Sequence, residues 1–107
     1  MKSLNTMKFI SNAIEDLCNY VNAIKQAETY EHATYIGGKT LGYIDAHITF
    51  LNSMICEENN DFTQEYDEVV DRWIVKVYQA VLEKAIETKQ SEETIDRLIK
   101  KKNQYTR

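Results

Sequence analysis

The chain has 107 residues, a formal charge of −4, 43% apolar residues and 28% charged ones. That balance suits one folded domain and excludes a disordered polyelectrolyte; an acidic chain with one short basic end, Lys100 to Arg107, is also a poor candidate for general duplex-DNA binding. No apolar run approaches the roughly 20 residues that span a bilayer. Asn12, Glu15 and Asp16 interrupt the N-terminal stretch MKSLNTMKFISNAIEDL, so it does not read as a signal peptide, and a cytoplasmic protein is expected.

The sequence has no proline, and its three glycines lie between positions 37 and 42. Long stretches free of helix breakers predict an all-α fold. Cys18 and Cys56 lie far apart without ligand-like spacing and read as reduced thiols. Ten lysines against three arginines, with many isoleucines and asparagines, suggest an AT-rich bacterial or phage genome.

The first helix is predicted over about 3–35. Met7, Ile14 and Val21 repeat every seven residues, as do Ile10, Leu17 and Ile24. The repeat fails after Ala27, where Glu28 and Glu31 occupy the next seam positions. Gly37 and Gly38 then predict a helix end, with Thr40 as the next cap. The competing possibility is a continuous helix in which Gly38, Gly42 and Ala46 form a smooth stripe.

The second helix is predicted over about 40–56. Leu41, Ile44, Ile48, Leu51 and Ile55 step by three and four on one face. Tyr43, His47, Phe50 and Met54 line the opposite face, so this helix is apolar on two sides.

A third helix over about 61–90 starts at Asp61, with Gln64 completing a capping box. Val70, Trp73, Ile74, Val77, Val81 and Ala85 make its main face, and Val75, Leu82 and Ile86 a second. Ser91 starts a short fourth helix over 91–104, with Ile95, Leu98 and Ile99 as its stripe.

The resulting expectation is an antiparallel bundle of three long helices plus a short C-terminal one. A single copy leaves Tyr43, His47, Phe50, Met54, Val75, Leu82 and Ile86 as surplus apolar surface, so dimerisation is expected to complete the bundle. The leading functional expectation is a protein-interaction or regulatory protein, inhibitor- or adaptor-like, binding another protein and itself. Its second feature is an acidic patch, Glu57, Glu58, Asp61, Glu65, Asp67, Glu68 and Asp71, seven acids with no intervening base. No cofactor belongs to this reading.

The alternative is enzymatic. Glu65, Glu68 and Asp71 follow the pattern E-x-x-E-x-x-D, and residues three apart are neighbours on a helix. From Glu65 to Arg107 the chain loosely resembles the MazG-like nucleotide pyrophosphohydrolases, with Glu68 and Asp71 at the positions of the helix-borne E-x-x-D. The resemblance implies Mg²⁺ held against nucleotide phosphates by these two and by an earlier carboxylate set. Here that set would come from Glu28, Glu31 or Asp45.

Overall fold

A computed structural model describes the backbone of residues 4–55 and 62–106 and the side chains of 8–49 and 68–106. Among the described residues the chain is all-helical, with no strands. Its elements are α1 (Leu4–Gln26), α2 (Tyr30–Ile55), α3 (Phe62–Glu87) and α4 (Glu92–Gln104). The proposed Asp61–Gln64 capping box and Cys56 lie outside the described residues.

The first turn is not where the glycines predict it. The first helix ends at Gln26 rather than near 35, and the second begins at Tyr30 rather than at 40. Thr29 makes the boundary: its Oγ1 accepts a hydrogen bond from the His32 backbone N–H at 3.1 Å, the geometry of an N-cap serving the third helical residue. The Thr29 carbonyl meanwhile accepts the helix's first bond, from the Ala33 N–H at 3.1 Å. Thr40, expected as a cap, is instead inside α2, fully buried, with its hydroxyl donating to the Ile36 carbonyl at 2.7 Å.

No glycine has positive φ, and all three are helical residues of α2. Two exposed helix-interior glycines cost about 1 kcal/mol each relative to alanine, a penalty that a 26-residue helix packed on two sides absorbs. Gly37 has a packing reason. A Cβ built on it would lie 3.0 Å from Val81 Cγ2, so a larger residue there would press Val81 out of place. Gly38 and Gly42 have no such neighbour within 4 Å.

The helices run up, down and up. Phe9 near the start of α1 stacks on His47 late in α2, so those two are antiparallel. Gly37 early in α2 meets Val81 and Val77 late in α3, making that pair antiparallel too. Leu17, Val21 and Ile24 of α1, Ala33 and Ile44 of α2, and Val77, Val81 and Ala85 of α3 belong to one buried cluster, which Leu98 of α4 joins. Helix α2 is thus apolar on two sides because it lies between α1 and α3, with Tyr43 and His47 turned to α1. The fourth helix behaves differently: among the described helices it approaches α3 alone.

The molecule is long and thin, 48 × 24 × 15 Å with a radius of gyration of 15.3 Å, since its 26-residue helices alone run about 39 Å. A compact domain of this length would have about 13 Å.

Two caps define the α3–α4 link. The Gln90 N–H donates to the Ala85 carbonyl at 2.9 Å and the Lys89 N–H to the Ile86 carbonyl at 3.1 Å, the paired bonds of a Schellman end. The left-handed position of that motif, normally glycine, is Lys89 with φ 56°. Ser91 then caps α4, its side chain accepting from the Thr94 N–H at 3.2 Å.

The outer face of α3 as candidate functional site

The core-facing side of α3 is closed by α1 and α2. Its outer side is covered only over the later half, because α4 is 13 residues long against 26. Tyr78 stacks on Tyr105 with ring centroids 6.2 Å apart. Beside this pair, Lys102 Nζ donates to Gln79 Oε1 at 3.0 Å. Burial raises the Tyr78 pKa above the ordinary tyrosine value, and the neighbouring Tyr105 adds to the shift.

Short of Tyr105 the outer face is open. Val75 is half-buried and lines two grooves at once. One, of about 400 Å³, runs between α1 and α3 past Cys18, Lys25, Trp73, Gln79 and Glu83. The other, of about 520 Å³, lies beyond the end of α4 and is rimmed by Glu68, Asp71, Arg72, Tyr105 and Thr106. Lys76 stands between them, its ammonium 4.4 Å from the centre of the Trp73 ring. The indole also reaches inward to a cavity of about 20 Å³ lined by Ala13, Leu17, Ile44 and Val70, so it is anchored in the core and fixed in direction. The result is an apolar residue, Val75, with Glu68, Asp71, Arg72 and Lys76 around it in one groove, and Trp73 at the far edge of the other, across Lys76.

The residues singled out from sequence fall in three groups. Val75, Glu68 and Asp71 do come together, on this open face. Tyr43, His47 and Leu82 are accounted for within the chain. The Tyr43 hydroxyl donates to the Asp16 carboxylate, and its ring meets Tyr20 at 5.3 Å and His47 at 4.0 Å. His47 Nδ1 donates to the Tyr43 carbonyl at 3.0 Å, and the imidazole stacks on Phe9 at 4.9 Å. Leu82 is 5% exposed in the core cluster that Leu98 joins. Ile86 is 57% exposed, on α3 near the α4 link. The side chains of Phe50, Met54, Glu65 and Asp67, and Glu57, Glu58 and Asp61 altogether, lie outside the described residues.

The carboxylates of the enzymatic alternative are not assembled. Because α2 and α3 are antiparallel, Glu28 and Glu31 sit at the end of the bundle where α3 finishes, while Glu68 and Asp71 sit where it starts. At 1.5 Å of rise per residue the separation is roughly 25 Å. Asp45 is nearer in level to Asp71 but exposed on α2. Among the described residues no three His, Cys, Asp or Glu side chains are placed to hold one metal ion. The helix directions, which sequence periodicity does not encode, decide this.

Sequence reasoning passed over Trp73 and Lys76 as site residues. The signal was present: a tryptophan at the edge of the main apolar stripe, with a lysine three residues on, is placed for a cation–π contact at a rim. No family model, no curated protein and no solved structure matches the chain. No described helix is long and apolar enough to cross a membrane.

Proposed function

We propose that this chain is a cytoplasmic, non-enzymatic interaction protein that regulates or adapts another protein, docking it on the outer face of α3 and associating with copies of itself. The observation that carries the reading is Val75, the floor of two adjoining grooves on a helix whose other side is core. A segment laid along α3 beside α4 would cover Trp73 and Val75 and complete the thin bundle. An apolar centre with a charged rim is the usual anatomy of a protein-binding patch. Glu68 and Asp71 on one side and Arg72 and Lys76 on the other would set the orientation of the bound segment rather than most of its affinity.

The test compares partners captured from a host lysate by the tagged protein and by Val75→Arg. Substitution at a half-exposed position should leave helicity and melting temperature within a few degrees. It should also abolish capture, since a long charged side chain would stand where the bound segment must cover apolar surface. Identical captured sets, or capture of nothing by the parent protein, would overturn the proposal.

A further inference from the structure

We infer that the surface of α3 beneath α4 is also where a second copy of this chain attaches, by exchange of α4 between copies. The inference rests on the self-association proposed above and specifies how the copies join. Three observations carry it. First, α4 approaches α3 alone among the described helices, so it can leave without disturbing the packing of α1 on α2. Second, the link that folds α4 back is short, four residues between Glu87 and Glu92. Third, that link holds Lys89 at φ 56°, the one non-glycine positive-φ residue among those described.

A left-handed lysine is strained because its Cβ crowds the following carbonyl. An opened link releases this strain, since Lys89 then returns to negative φ. Short, strained connections of this kind favour exchange of a terminal element. In the exchanged form the α4 of the second copy makes the same contacts: Leu98 joins the cluster holding Leu82, Tyr105 stacks on Tyr78, and Lys102 donates to Gln79. The interface is therefore already present in the single chain, and copies compete for it only through local concentration.

The experiment uses two versions of the full chain, each with Cys18→Ser and Cys56→Ser, one carrying Gln79→Cys and the other Lys102→Cys. They are mixed at several hundred micromolar, warmed to just below the melting temperature, cooled, and treated with a short bismaleimide. Exchange predicts a mixed covalent dimer containing one chain of each kind, which grows with concentration. Lys89→Gly relaxes the link without opening it, so it should raise the dimer dissociation constant roughly tenfold or more. Sedimentation of the otherwise unmodified chain and of Lys89→Gly supplies a second measurement free of the cysteine substitutions. Absence of the mixed dimer at every concentration, or equal self-association of the parent and Lys89→Gly, overturns the inference. Dimers that form without the 79–102 cross-link, alongside partner capture that Val75→Arg abolishes, would leave the proposed function standing while this inference falls.

Discussion

The two sides of α3 are built from similar residues and do different things. On the inner side Val77, Val81 and Ala85 are each at most 5% exposed, held between α1 and α2. On the outer side Leu82, in the cluster that Leu98 of α4 joins, is equally buried, but Val75 and Tyr78 are half-buried and Ile86 is 57% exposed. Two long neighbours bury a face completely, whereas one short neighbour buries half of it. Apolar pattern alone gives both faces the same weight; the difference comes from the lengths of the described helices that cover each.

The largest effect should come from the inner side. Val77→Ala removes buried methyl groups where α1 and α2 cannot both close the gap, and should cost about 2–3 kcal/mol in urea unfolding. Ile86→Ala on the outer side should cost under ~0.5 kcal/mol. Equal costs would show that α3 is covered alike on both sides. Ser91→Ala should cost about 1 kcal/mol, and hydrogen exchange should locate the loss in α4, with the amides of α1 and α2 unchanged. Protection lost throughout the chain would mean that α4 is part of the same cooperative unit as the rest.

The glycines sharpen the contrast at closer range. Gly38→Ala and Gly42→Ala should each raise stability by about 0.8–1 kcal/mol, because their Cβ positions are open. Gly37→Ala should lower it by about 1 kcal/mol, since Val81 must give way. Stabilisation at all three would mean that the α2–α3 approach is looser than the 3.0 Å separation implies.

The smallest effect concerns pH. Burial raises the Tyr78 pKa above 10, so the folded state keeps a proton that the unfolded state loses. The stabilisation of the neutral phenol is therefore complete below about pH 10 and lost as pH rises through the folded value. Tyr78→Phe should flatten this alkaline decline, measured as melting temperature between pH 9 and 11. An unchanged decline would place its cause elsewhere.

Much of this architecture is legible in the sequence. The heptads of Ile10, Leu17 and Ile24, and the three-four steps through Ile44 and through Val77, specify helices because each places one face toward the core. The position of the first turn is not legible from glycine content. Gly37 and Gly38 are the strongest breakers in the chain, yet a helix buried on two sides gains more from continuing than two glycines cost. The better signals lie earlier, in the failed heptad after Ala27 and in Thr29 three residues before His32. Moving the turn lengthens α2 to match α1 and α3, and this is why Tyr43 and His47 find neighbours inside the chain. The carboxylates illustrate a different limit. The pattern at Glu68 and Asp71 is local, but convergence with Glu28 and Glu31 depends on helix direction, a property of the whole chain.

The links between helices also bear on how quickly the chain folds. Only three residues separate α1 from α2 and four separate α3 from α4. Each helical hairpin therefore closes a small loop, and most of its contacts join segments near one another in sequence. Chains wired this way fold in microseconds to milliseconds, well ahead of β-rich domains of equal size. The α1–α2 hairpin, with its own aromatic layer of Phe9, Tyr20, Tyr43 and His47, is the natural early unit. Parallel contact between α1 and α3 must wait for the whole of α2 to be laid down, and α4, which needs only α3, can dock at any time after that helix forms.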